Sequence, residues 1–350
     1  MKRKVCFRKM GAAVAVAFVI ISCTSKIEEV QNISVDTSEN FGNAIDGNVK
    51  IKAVVQLHDS LLVGDVSKVL YSGGKIYIWD KSAASILCCT TDGDLQFRIS
   101  AKGRGPGEYT GISNFYLSGS GNTVNVIAQE KKLLEFSAVS GELVSESGID
   151  VKSIMCTDGI ELQDGKTVLG IIGPEHNVAV DGADTLKYHI PFNMTRDFAF
   201  MERAFSQDGP KALFVHGMDN CIYSVAYDTS TVRYIVDFKG MEISNDDYQT
   251  KTPAEIQKIY DERSVATRID NLVNSRNWLS FSYWMMNPDK TQQTNYVLYN
   301  KRNGKAMNIQ GSPLFPIKDA NDNLLVSVAD NSDSRYAPYN GNPVVVLWEM

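Results

Sequence analysis

The sequence predicts an all-β fold in which short antiparallel sheets repeat around a ring, and three observations carry the prediction. Strand-length runs rich in Val, Ile and Tyr are followed by a polar turn holding Gly or Asp and then by another such run. These turns fall at Gly93, Gly141, Gly182 and Ser230, spacings close to the ~40–50 residues of a four-stranded propeller blade. The last run, Asn342 to Met350, has no strand after it, and the early run Val49 to Leu57 has no blade of its own. Pairing the two closes the ring and leaves no long sheet edge exposed. Dividing roughly 300 residues of body, less an insertion, by a ~45-residue blade gives about six blades. The predicted architecture is a six-bladed β-propeller of four-stranded antiparallel blades, closed by an N-terminal strand and carrying one helical insertion.

With 350 residues, 43% apolar and 22% charged, the composition is that of an ordinary globular protein. The net charge of −6 and the lack of a long basic run argue against nucleic acid as a partner, since phosphate binding needs clustered Lys and Arg.

Taken in order, the chain opens with a positive segment, Lys2, Arg3, Lys4, Arg8 and Lys9, followed by an apolar stretch from Gly11 to Ile21. This has the length of an export signal and is too short to span a bilayer permanently, so residues 1–22 are read as a signal peptide. Ile20-Ile21-Ser22-Cys23 resembles the lipobox of bacterial lipoproteins. The resemblance implies that Cys23 is lipidated and becomes the first residue, and several acyl chains are what stable anchoring requires. Lys26-Ile27-Glu28-Glu29 is similar to the acidic signals that send lipoproteins of some Gram-negative anaerobes to the outer membrane. Residues 23–48, rich in Ser, Asn, Asp and Gly, read as a solvated, lipid-anchored tether, and residues 49–350 as the propeller.

Within the body, Lys102-Gly103-Arg104-Gly105-Pro106-Gly107-Glu108-Tyr109 cannot continue a helix or a central strand. It reads as a built loop between the first two blades. Thr252 and Glu255 form a capping box with Pro253 at the first helical position, and Ile256, Ile259, Tyr260, Ile269, Leu272 and Val273 fall largely on one face. This predicts a helix over about 253–274. The aromatic run Trp278 to Trp284 alternates as a strand, read as packing between blades, with a sugar-stacking platform at the propeller face as the alternative. Cys88, Cys89, Cys156 and Cys221 have no C-x-x-C and no regular spacing, which favours buried free thiols.

Together, the repeats, the Gly103 to Tyr109 stretch and the closing Asn342-Pro343-Val344-Val345-Val346 strand behind a lipobox resemble the six-bladed propeller lipoproteins of gut anaerobes. These are related to NHL-type propellers, and most lack an assigned function. The chemistry is less legible. Arg104, Glu108 and Tyr109 form one candidate ligand-binding group, with a planar donor fork, an acceptor and a polar-tipped ring, and Arg335 and Tyr336 form a second. The glycine spacing matches no nucleotide loop. His58, His176, His189 and His216 are scattered without zinc spacing, and no Gly-x-Ser-x-Gly elbow appears. No catalytic residue, metal ligand or cofactor is therefore assigned. The expectation is a lipid-anchored, outer-membrane propeller of the cell envelope, acting as a binding or interaction module for a glycan, a peptide or an envelope protein. The alternative is a channel-centred, metal-dependent hydrolase or lyase, which would need Asp, Glu or His side chains converging on the inner strands.

Overall fold

The computed structural model describes residues 29–58, 60–182, 185–197, 201–329 and 342–350. Cys23, Arg335 and Tyr336 lie outside them. The chain begins with β1 (Gln31–Ser34), α1 (Gly42–Asp46) and β2 (Lys50–Gln56), and then builds its sheets in order. Blade 1 is β3 (Val66–Ser72), β4 (Lys75–Asp80), β5 (Ser85–Thr90) and β6 (Leu95–Ile99). Blade 2 is β7 (Ile112–Leu117), β8 (Thr123–Ala128), β9 (Lys132–Ser137) and β10 (Leu143–Gly148). Blade 3 is β11 (Met155–Glu161), β12 (Thr167–Ile172), β13 (His176–Asp181) and β14 (Leu186–Pro191). After α2 (Met194–Asp197), blade 4 is β15 (Phe205–Asp208), β16 (Lys211–Phe214), β17 (Cys221–Val225) and β18 (Ser230–Asp237). Then α3 (Asn245–Thr250) and α4 (Pro253–Glu262) lead into blade 5, which is β19 (Val265–Asn274), β20 (Trp278–Met286), β21 (Gln292–Asn300) and β22 (Lys305–Ile309). Blade 6 is β23 (Ile317–Asn321), β24 (Leu324–Ala329) and β25 (Val344–Glu349), completed by β2. The molecule is an all-β six-bladed propeller of four-stranded antiparallel blades.

Closure follows the prediction: β2 pairs antiparallel with β25, with Val54 opposite Val346 and Val55 opposite Val345. Apolar side chains of adjacent blades interlock. Leu279, Phe281 and Tyr283 of β20 pack with Leu213, Ile222 and Val236 of blade 4, and Trp278 packs toward Phe315 and Trp348 of blade 6. All four cysteines of the body are buried and free.

Two expectations need correction. Residues 31–46 do not float as a tether. Strand β1 adds in parallel to the outer edge of blade 4, with Ile33 opposite Val236. Ile33, Val35 and Ile45 are each at most 1% exposed. The Phe41 N–H donates to the Asn308 carbonyl, and Ser312 donates to Asp46. Three apolar side chains in a polar stretch thus strap blades 4, 5 and 6 together. Nor does the helix run to residue 274. The capping box forms as expected, but α4 stops at Glu262 and Val265–Asn274 is the inner strand of blade 5. That strand carries two register shifts, between Thr267 and Asp270 and between Asp270 and Val273, with Arg268 and Asn271 at φ 54° and 51°. Bulges insert extra residues, so its apolar positions fall three or four apart and imitate a helical face.

Candidate functional site

The inner strands share a device. In β3, β7, β11 and β23 the register with the next strand slips by one residue, between Val66 and Lys68, Ile112 and Asn114, Cys156 and Asp158, and Ile317 and Asp319. In β19 the slip ends at Asp270. A bulge re-aims the following side chain. Lys68, Asn114, Asp158, Asp270 and Asp319 all become buried among one another, and Arg203, just ahead of β15, completes the set.

These residues plug the waist of the central channel. Lys68 Nζ lies 2.9 Å from Asn114 Oδ1 and 3.0 Å from Asp158 Oδ1. Asp158 Oδ2 accepts the N–H groups of Ala204 and Phe205, and Asn114 Nδ2 donates to the carbonyls of Thr157 and Glu202. Arg203 crosses the ring to Asp319 at 2.8 Å and to the Lys318 carbonyl, while Asp319 Oδ2 accepts the Tyr71 N–H at 2.7 Å. Asp270 takes the N–H groups of Glu202, Arg203 and Asn271, with Arg268 3.7 Å away.

Burial lowers the Lys68 pKa from the usual ammonium value although Asp158 holds its proton. It raises Asp270 to about 6 against its three N–H donors and Arg268. Four basic side chains, Lys68, Arg203, Arg268 and Lys318, each lie against at least one of the acidic side chains Asp158, Glu202, Asp270 and Asp319. The waist thus pairs as many basic as acidic side chains. Among the described residues, no group of three or more His, Cys, Asp or Glu side chains could hold a metal ion.

A cavity opens on either side of the waist. The wider, about 620 Å³, lies at the ends of the inner strands and is bounded by the turns after β7 and β11. Lys68, Arg203 and Asp319 form its floor, Tyr116 and Phe205 belong to its wall, and Ser118, Ser120, Gln163, Ser206, Gln207 and Asn274 supply uncharged polar groups. The other, about 280 Å³, lies where the inner strands begin and includes Ser67, Ser113, Asn114, Thr157, Glu202 and Arg268.

The Lys102–Tyr109 loop lies away from both cavities and is used by the fold. Tyr109 is fully buried; its hydroxyl donates to the Ala84 carbonyl at 2.9 Å and accepts the Ala101 N–H. Glu108 Oε2 accepts the Gly105 N–H at 2.8 Å. A Cβ on Gly103 would collide with the same carboxylate, and Gly107 sits at φ 76°. The Gly107 N–H donates to Glu146, itself paired with Lys132 at 2.8 Å. The Tyr109 hydroxyl and Glu108 Oε2 are thus used by core and turn, while Arg104 is exposed on the loop.

The channel residues escaped the sequence reading, although a signal exists. A polar residue follows the bulge position in otherwise apolar inner strands, in Val66-Ser67-Lys68-Val69, Ile112-Ser113-Asn114-Phe115 and Cys156-Thr157-Asp158-Gly159. It recurs roughly every 45 residues, the blade period.

The fold and this channel define a six-bladed propeller with a charge-paired waist. Residues 24–316 match the DUF5128 family, described as a 6-bladed beta-propeller, and the chain belongs to that family. Among solved structures it is similar to a candidate exported protein of Bacteroides fragilis, at 16% identity and TM-score 0.73, covering 92% of this chain and 99% of that one. It is also similar to a DUF4221 family member of Bacteroides vulgatus, at 11% identity and TM-score 0.55, covering 86% and 98%. The RRP9 WD40 repeats give 10% identity and TM-score 0.51, covering 87% and 100%. At these identities the likeness is one of fold. No curated protein matches the chain in sequence.

Proposed function

We propose that this propeller is a cell-envelope binding module whose wide channel mouth takes a neutral, hydrogen-bond-rich ligand of the saccharide class. The observation that carries the reading is the pairing of a floor whose basic side chains lie against acidic ones with a mouth lined mostly by side-chain amides and hydroxyls, beside one carboxylate, Glu161, that accepts the Gly119 N–H. Such groups exchange water for sugar hydroxyls without stranding a charge, and a floor whose basic and acidic side chains already pair with one another favours an uncharged guest. The carboxylates that a channel-centred hydrolase or lyase would need for a metal are tied to Lys68, Arg203 and backbone N–H groups, which favours binding over catalysis. The address rests on the export signal, the lipobox ending at Cys23 and the exported-protein likeness. We assign a lipid anchor at Cys23 and the outer membrane on those grounds.

The test is a thermal-shift series on the full chain with neutral oligosaccharides, sulfated or uronate oligosaccharides, peptides and divalent metals. A neutral saccharide at ~100 times its Kd stabilises the chain by about 2.7 kcal/mol. Gln163→Ala, at an exposed position of the mouth, weakens that response by about 1 kcal/mol. A response to metal alone, or to peptide alone, overturns the assignment.

A further inference from the structure

The connection from β18 to β19 is the longest between blades, and α3 and α4 within it do not close completely over the sheets below. Ile243, Tyr248, Ile256 and Val265 form a small core of their own. Beside it a hollow of about 510 Å³ remains between α4, α2 and the ends of β19 and β20. Packing voids are few and rarely exceed a water molecule, whereas ligand pockets run from about 300 to 1,000 Å³.

We propose that this hollow binds an uncharged aromatic small molecule. Three thioethers from separate elements, Met194, Met218 and Met286, and three rings, Tyr248, Tyr260 and Trp284, line it. The tyrosine hydroxyls bond each other at 3.1 Å, and Tyr260 reaches Thr267 at 3.4 Å. With their polar ends occupied, the rings are left as walls. Trp284 is held from behind by the Arg268 guanidinium, 3.8 Å from its ring centre, so this wall is preorganised. Rings and polarisable thioethers reward an aromatic guest over an aliphatic chain, and methionine adapts to its outline. Charge settles the rest of the ligand's character: Lys290 at the rim is paired with Asp261, so an ionised guest would lose its hydration without gaining a partner. The hollow lies where the inner strands begin, on the face opposite the wide channel mouth, and its occupancy is independent of the saccharide reading.

The experiment titrates the full chain with N-phenyl-1-naphthylamine, a neutral fluorophore that brightens in apolar surroundings. Saturable enhancement at one site per chain is expected. Two variants fill the space: Ile256→Trp from within α4, and Gln257→Trp from an exposed position at the rim, which leaves the core untouched. Each weakens binding by about tenfold or more through steric exclusion, with circular dichroism and the melting temperature reporting the fold. The sulfonated relative 1-anilinonaphthalene-8-sulfonate binds at least about tenfold more weakly, because its charge must be buried. The proposal is overturned if enhancement never saturates, if folded Gln257→Trp binds the neutral probe as the native chain does, or if the sulfonate binds equally. Displacement of the probe by a phenylalanine-bearing peptide but not by free naphthalene would also overturn it, in favour of a partner's side chain.

Discussion

Lys68 and Asp158 show how a propeller centre can be charged and still contribute to stability. Each is at most 5% exposed, and each satisfies the other together with Asn114 and three backbone N–H groups. Removing one partner leaves the other buried and unpaired. Lys68→Ala therefore costs about 3–5 kcal/mol, measured by denaturant unfolding. Lys68→Met combined with Asp158→Asn recovers about half or more of that loss, because contacting groups are strongly non-additive. A cost for the double variant equal to the sum of the two single costs would contradict the pairing. Asp270 sets a pH dependence. Its folded pKa, about 6, lies above the unfolded value of 3.8, so the folded state keeps a proton that the unfolded chain releases. Its stabilisation is complete below pH 4 and is lost as pH rises through 6, a change of ~2–3 kcal/mol. Asp270→Asn removes this fall, and unfolding curves at pH 4.5, 5.5 and 7.5 measure it for both chains.

Among the elements, β1 and α1 differ most from their reading as tether. They bury Ile33, Val35 and Ile45 at a junction of three blades, and each such side chain contributes about 1.5–3 kcal/mol. A chain beginning at Val49 should therefore lose several kcal/mol relative to one beginning at Glu29, where a solvated tether would lose nothing. Thermal unfolding of the two chains decides this. The capping box of α4 was legible because Thr252, Pro253 and Glu255 are a local signature. The end of that helix was not legible, because the bulges of β19 move apolar residues off a two-residue period and only strand pairing reveals them.

Considered as a whole, the ring has two faces with different chemistry, an amide- and hydroxyl-lined mouth on one and an aromatic, thioether-lined hollow on the other. The correction at β1 also changes the reach of the proposed anchor. With Gln31 fixed at the edge of blade 4, seven residues separate Cys23 from the body. At ~3.3–3.6 Å per residue they span at most about 30 Å. An anchor at Cys23, as proposed, would make blade 4 the membrane-proximal side: on the lipidated full chain, a fluorophore at Ser230→Cys is then quenched by lipid-borne quenchers more than one at Thr91→Cys. Equal quenching would count against anchoring at this edge.

The repeat period, the closing strand and the capped helix start were written in the sequence, because each depends on residues close together in the chain or on a fixed spacing. The candidate sites were not. Lys68, Asn114, Asp158, Arg203, Asp270 and Asp319 come one from each blade and meet only when six inner strands converge. Sequence alone cannot tell that Ala84 accepts the Tyr109 hydroxyl or that Gly105 donates to one oxygen of Glu108. Local order is set by neighbours along the chain, whereas burial, charge pairing and the two cavities arise from contacts between blades, and only ring closure creates those.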